Sequence, residues 1–241
     1  MIYILISDVH SNLEAFNAVV ESFPDAGKKK ILSVGDVVGY GADPNECVDK
    51  MASLVAVNIM GNHDAAALGK TDISVFNPHA YEAAIWTQKH INEYSRDYLD
   101  NLPYVHKNDL FTLVHGTLDD PEAFRYMLTN VEASHTFRIL ETQICFVGHS
   151  HVPATFMMKE GKMALSFKKK FKLEDDTKYI INVGSVGQPR DGDWRACYCI
   201  YDPDKKSIEL RRVEYDMKTA QKKIIDAKLP RILAERLAFG R

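Results

Sequence analysis

The sequence predicts an α/β protein, a four-layer α/β/β/α sandwich of two mixed sheets with helices outside. Three observations point to it. Short apolar runs rich in β-branched residues recur ahead of Ser150, and each is followed within two residues by an Asp, Asn, His or Gly. Stripes of apolar residues at helical spacing lie between several of these runs. After Ser150 the pattern changes to short alternating runs, the mark of a second, largely antiparallel sheet.

Ile2-Tyr3-Ile4-Leu5-Ile6 is too short for a helix and reads as a buried strand. Leu13, Phe16, Val20 and Phe23 then form a helical stripe that Asn12 caps and Pro24 closes. Ile31-Leu32-Ser33-Val34 gives a second strand. Asp43-Pro44-Asn45-Glu46 supplies a cap, a proline at the first helical position and an acid at the third, so a helix is expected over residues 44–53. The apolar run 55–60 is a third strand, and Asn77-Pro78 opens a helix carrying Tyr81, Ile85 and Trp86 toward residue 94. Leu110-Phe111-Thr112-Leu113-Val114 is a strand, residues 132–140 a shorter helix, and Ile144-Cys145-Phe146-Val147 another strand. Beyond Ser150, the runs 154–158, 163–167, 178–183, 196–201 and 207–213 supply the second sheet. Residues 217–227 and 230–239 read as two helices, lying over the surface or against a partner. No Ser- or Pro-rich linker separates the halves, so residues 1–241 are expected to form one domain.

The polar residues at the strand ends carry the chemistry: Asp8-Val9-His10, Gly35-Asp36, Gly61-Asn62-His63-Asp64, His115-Gly116 and Gly148-His149-Ser150-His151. Open α/β sheets bind ligands outside the carboxyl ends of their strands. Strands side by side in one sheet would therefore bring these side chains together. Residues two apart on an extended segment share a face, which aims Asp8 with His10, and His149 with His151, at one cavity. Carboxylate oxygens mixed with imidazole nitrogens suit manganese, iron, zinc or nickel better than calcium, and the lack of a cysteine ligand argues against a closed structural zinc site. Five of the nine histidines take part; His79, His90, His106 and His135 lie outside the motifs and read as surface or core residues.

In this order the five motifs resemble the calcineurin-type metallophosphoesterase superfamily, over about residues 1–195. Gly35-Asp36-Val37-Val38-Gly39-Tyr40-Gly41, Phe76-Asn77-Pro78 and the run from Val183 to Gly192 look like its small bacterial and archaeal phosphodiesterase branch. The resemblance implies that Asp8, His10 and His151 hold one metal ion, that Asn62, His115 and His149 hold a second, and that Asp36 bridges both. It implies that His63 is the acid beside the leaving group. Two cations about 3.5–4 Å apart lower the pKa of a shared water toward about 7, so that hydroxide is available as the nucleophile without a protein base. Two divalent ions, two aspartates and one hydroxide sum to about +1, which suits a phosphodiester with one negative charge. Phosphoprotein phosphatases place an Asp and an Arg where this chain has Gly39 and Tyr40, so phosphoserine or phosphothreonine proteins are poor candidates. What orients His63 is left open, with Asp64 as its neighbour.

The expected function is thus hydrolysis of a small phosphodiester or dinucleotide polyphosphate. A phosphomonoesterase of the same mechanism and a non-catalytic scaffold on the same fold are the alternatives; a scaffold has no reason to keep His63. Arg190, in a Gly-rich loop, is a candidate phosphate contact or else a solvated side chain. Tyr40, Phe76 and Trp86 either stack a base or pack. Pocket walls are expected from loops 72–78, 118–126 and 188–194.

Composition sets the outer limits. With 241 residues, 46% of them hydrophobic, the chain can bury a large core. A net charge of -3 leaves no basic footprint for long nucleic acid. The apolar runs fall short of a membrane span, and Met1 leads straight into a strand, so a cytoplasmic location is expected. Four cysteines make no disulfide framework; Cys197 and Cys199 share a strand face and read as core rather than a soft metal site. Lys28-Lys29-Lys30 and Lys168-Lys169-Lys170 flank strands and read as solvated turns. A homodimer is left open.

Overall fold

In the computed structural model, which describes residues 1–25 and 27–241, the strands form two six-stranded mixed sheets. The first has the order β3 (Val57–Asn58), β2 (Lys29–Ser33), β1 (Ile2–Ile6), β11 (Ala196–Asp202), β12 (Ser207–Val213), β9 (Lys170–Lys172). The second runs β4 (Val105–Lys107), β5 (Phe111–Val114), β6 (Ile144–Val147), β10 (Thr177–Asn182), β7 (Ala154–Lys159), β8 (Lys162–Ser166). Within each sheet three neighbours are parallel, β1, β2 and β3 in one and β5, β6 and β10 in the other; the remaining pairings are antiparallel.

Strand alternation builds the layers. Leu5, Leu32, Phe111, Phe146, Tyr179, Cys197 and Cys199 fill the space between the sheets. Their neighbours Ile4, Ile6, Tyr198 and Ile200 turn outward onto α1 (Leu13–Glu21), α2 (Pro44–Leu54), α7 (Met217–Asp226) and α8 (Arg231–Glu235). On the far side Cys145, Val147, Phe156 and Ile180 receive Ala133 and Phe137 of α6 (Asn130–Ile139). The result is the α/β/β/α sandwich. All four cysteines are free and buried.

The expectation that the strands after Ser150 make a sheet of their own is corrected. β7, β8 and β10 extend the sheet of β5 and β6, whereas β9, β11 and β12 extend that of β1. The physical reason is that β1 has an open edge which β11 fills, with Ile4 opposite Ile200, so its apolar face is completed from the other end of the chain.

Other differences are local. The run 55–60 pairs only at Val57–Asn58. The helix expected to reach residue 94 stops earlier, as α4 (Pro78–His90), and α5 (Glu93–Asp100) starts on Asn92 as a fresh cap. Asn45 fixes that break, donating to His90 O at 3.0 Å and accepting from Asn92 N at 2.9 Å. Asp43 precedes α2 without capping it; its carboxylate takes Lys223 of α7 at 2.8 Å instead. Among the described residues no helix is long and apolar enough to cross a membrane.

Candidate metal centre

The parallel strands of both sheets end at one place, so the side chains converge from two sheets rather than one. Asp8 and His10 follow β1, Asp36 follows β2, His115 follows β5, and His149 and His151 follow β6. After β3 the chain enters α3 (Asn62–Ala67), so Asn62 and His63 lie on a first helical turn. None of these eight side chains belongs to a residue more than 8% exposed.

The spacing argument needs correction as well. Asp8 (φ 54°), His10 (φ 51°), His149 (φ 66°) and His151 (φ 60°) are in the left-handed region, not on extended strands. Asp36 and Tyr40 share it, at 56° and 59°. Strain concentrated on polar residues of one pocket is a common mark of a functional site. The turns also separate the two histidines of the last motif. His151 joins Asp8 and His10, whereas His149 joins Asp36 and His115, each group holding its ligand atoms within 4.8 Å of one another. A third group contains His10, Asp36 and His63, so Asp36 is shared.

The distances describe a compact cluster. His151 Nε2 is 3.2 Å and His10 Nε2 3.6 Å from Asp8 Oδ1, and the two nitrogens are 3.0 Å apart. His115 Nε2 lies 3.2 Å from both Asp36 Oδ2 and Asn62 Oδ1. His10, His115 and His151 present their Nδ1 atoms to the carbonyls of Val38, Val34 and Gln188, at 3.1, 2.7 and 2.6 Å. A donor proton on Nδ1 leaves the lone pair on Nε2, aimed into the cluster. Asp8 Oδ1, Asp36 Oδ2 and His149 Nε2 are buried without a hydrogen-bond partner among the described residues. Orphaned acceptors facing inward, beside lone pairs fixed by backbone carbonyls, fit cations and little else.

Electrostatics agree. Burial opposes charge on both aspartates, yet the surrounding imidazoles hold Asp8 and Asp36 below the usual carboxylate range. Burial opposes a charge on His115 too, but the Asp36 and Asp8 carboxylates push it up to about 9. His149 and His151 are pushed down to about 3, mainly by burial. The pocket carries fixed negative charge and, at His149 and His151, neutral nitrogen, which is what a hard-to-borderline ion takes once it displaces the His115 proton.

His63 stands at the edge of the cluster. Its backbone N donates to Asp36 Oδ1 at 2.8 Å, while its ring packs on Tyr40, His10 and Phe76 at centroid distances of 4.3, 4.9 and 5.2 Å. Asp64 does not reach it. That carboxylate accepts from the backbone N of Asp36, Val37, Val38 and Gly61 at 2.8–3.1 Å, tying the β2 turn to α3. Burial and the neighbouring Asp36 charge raise Asp64 to about 7 against those donors. Gly39 explains the missing carboxylate partner, since at φ 94° a Cβ there would sit 2.7 Å from His63 Nδ1. Packing on a bare backbone, rather than an acid, sets the ring.

A cleft of about 370 Å³ opens beside His63, lined by Tyr40, Asn62, Asp72, Phe76, Phe124 and Tyr126 among others. Loops 72–78 and 118–126 thus supply walls. Arg190 lies with its guanidinium 5.6 Å from the Tyr40 ring, held to Gln188 Oε1 at 2.7 Å. Trp86 is elsewhere, stacked on His90 at 3.9 Å. Sequence reasoning missed Tyr126, which stacks on His149 at 3.9 Å. It also missed Gln188, whose carbonyl fixes His151. Tyr126 carries no motif signal, whereas Gln188 lies in the family-like run from Val183 to Gly192, where its residue type does not announce a role for its carbonyl. Asp64 was visible as the third helical residue of a glycine-led cap.

Comparison with known proteins gives the family. The model of the calcineurin-like phosphoesterase superfamily domain matches residues 1–206, so the chain belongs to that dimetal-dependent hydrolase superfamily. An uncharacterized protein of Methanocaldococcus jannaschii is 42% identical over 241 residues, 98% of this chain and 97% of that one. The crystal structure of a metallophosphoesterase from Sphaerobacter thermophilus matches with a TM-score of 0.87 at 38% identity, covering 100% of this chain and 99% of its own. A hypothetical protein of Pyrococcus horikoshii has the same fold, with a TM-score of 0.78 at 18% identity over 100% and 98% of the two chains.

Proposed function

We propose that this protein is a metal-dependent phosphodiesterase for small substrates, nucleotides included. The observation that carries the reading is the buried cluster of orphaned carboxylate oxygens and lone pairs beside an unclamped His63 and a cleft of nucleotide size. Asp8, His10 and His151 would hold one ion, Asn62, His115 and His149 a second, and Asp36 would be shared. Two bound transition-metal ions, manganese, iron, zinc or nickel, would supply Lewis acidity and lower the pKa of a water.

The chain's own residues do the rest. His63 gives the proton of a ring nitrogen to the departing oxygen. Burial holds His63 well below the usual histidine range and so disfavours the imidazolium this requires, while Asp36 beside it pulls the other way. A bound phosphodiester adds one more negative charge to that pull. Tyr40, Phe76 and Tyr126 exclude water from the leaving group and accept an apolar or aromatic substituent. With Gly39 and Tyr40 at the wall there is no arginine–aspartate clamp of the kind phosphoprotein phosphatases carry, which supports a small diester over a phosphoprotein.

The test is hydrolysis of bis(4-nitrophenyl) phosphate against 4-nitrophenyl phosphate with manganese added. Diester turnover should require the metal and fall by about a hundredfold or more in His63→Ala, the size of a lost general acid. Turnover of neither ester under manganese, iron, zinc or nickel would sink the reading; preference for the monoester would replace it with a phosphatase.

A further inference from the structure

The C-terminal segment, which lies beyond the residues matched by the family, packs beside the loop that follows β10. After α8 the chain makes a short 3-10 turn over Arg236–Phe239, and Leu237 is buried in the core on the α7 and α8 side. This turn docks on the loop that carries Arg190: Gly192 N donates to Gly240 O at 3.0 Å. Gly240 is so close that a Cβ there would come within 2.8 Å of the Asp193 backbone. Burial, and after it the Arg190 charge, disfavour the charged form of Arg236, and Tyr40 and Tyr126 are the other ionisable groups near enough to act on it.

Both arginines are half-buried, and their hydrogen bonds are made within their own loop and turn. Arg190 donates through Nε and one terminal nitrogen to Gln188 Oε1, at 3.3 and 2.7 Å. Arg236 donates through Nε to Arg241 O at 2.5 Å. Neither arginine pairs with an Asp or Glu side chain among the described residues. The acids of the same loop are already engaged, Asp191 with Arg212 and Asp193 with Arg195. Two like charges set close together repel, and an anion placed between them relieves the repulsion.

We propose that Arg190 and Arg236 form a second anion subsite beside the metal centre, selecting phosphodiesters whose substituent carries a further phosphate. The inference rests on the phosphodiesterase reading for the first phosphate and adds the substrate class. One phosphate lies at the Asp and His cluster; the second meets the paired guanidiniums across Tyr40, whose ring Arg190 already covers. Planar forks suit a terminal phosphate, which offers three acceptor oxygens.

The test is calorimetric binding of thymidine 3′,5′-bisphosphate and thymidine 5′-monophosphate to the manganese-loaded protein. The bisphosphate should bind at least about tenfold tighter, and that margin should shrink as salt rises. Arg190→Gln and Arg236→Gln should each remove most of the margin, and Arg236→Lys, which keeps the charge, should retain part of it. Equal affinities in the unaltered protein, or a margin that survives both Gln variants, would overturn the subsite. Aryl diester hydrolysis separates the two claims. A protein that cleaves the diester but shows no arginine-dependent margin keeps its function and loses the subsite. One that keeps the margin and cleaves no ester keeps the subsite and loses the function.

Discussion

Gly39 decides more at the residue scale than any single ligand does, because it sets His63 without touching the metal positions. Its φ of 94° suits glycine alone, and its bare backbone is the surface on which the His63 ring lies. Gly39→Ala therefore carries two penalties: strain at a positive φ, about 1–3 kcal/mol, and displacement of the imidazole by the new methyl group. The expected outcome is a lower midpoint in urea, diester turnover reduced by about tenfold or more, and metal content unchanged. Metal content by elemental analysis is the deciding measurement. If the variant loses its ions in proportion to its activity, the glycine supports the cluster and not the acid. The local detail was partly legible. A Gly-Asn-His-Asp run announces a ligand, an acid and a helix cap, yet only coordinates reveal that the Asp64 carboxylate turns toward the 36–38 amides and away from the ring beside it.

At the scale of elements, the loop after β10 joins the site to the C-terminal segment, and its charge pairs give it a pH signature. The Arg195 guanidinium, with help from backbone N–H and Arg212, holds Asp193 at about 2 despite burial. A depressed carboxyl stabilises the fold above its unfolded value, about 3.9, and that contribution disappears as pH falls through about 2. The stability gap between the unaltered protein and Asp193→Asn should therefore be constant above about pH 4 and close as pH approaches 2. Urea midpoints by circular dichroism at several pH values read it directly; a gap that persists at pH 2 would mean a packing effect. Strand existence was legible in this chain because apolar runs such as Ile2 to Ile6 end abruptly in polar residues. Strand partnership was not. Whether β11 lies beside β1 or beside β10 is decided by which sheet edge is open, and Cys197 and Cys199 would fill an apolar interior in either place. The break between α4 and α5 was hidden for a similar reason, since the Asn45 side chain that clamps it comes from another helix.

On the scale of the whole molecule, the centre lies across the seam between two sheets, with Asp8, His10, Asp36 and Asn62 from one and His115, His149 and His151 from the other. An ion held by His151 with Asp8, or by His115 with Asp36, therefore bonds one sheet to the other. Metal binding then becomes folding free energy for the entire sandwich, as distinct from order in one loop. At a free metal concentration one hundred times the dissociation constant the linkage is about 2.7 kcal/mol per site. For a chain of this size each kcal/mol moves the midpoint by about 2–4 °C, so manganese should raise Tm by roughly 5–10 °C per ion bound and a chelator should reverse it. Asp36→Asn tests where that coupling resides. It leaves the amide hydrogen bond from His63 N an acceptor and removes the charge shared by both metal groups, so the metal-induced rise should largely vanish. The metal-free midpoint should fall as well, because the imidazoles hold that carboxylate below its usual range and the exchange leaves His115 without its partner. If Asp36→Asn kept the full rise, the ions would be binding elsewhere, and the seam between the sheets would be held by the apolar layer of Leu5, Phe111, Phe146 and Tyr179 alone.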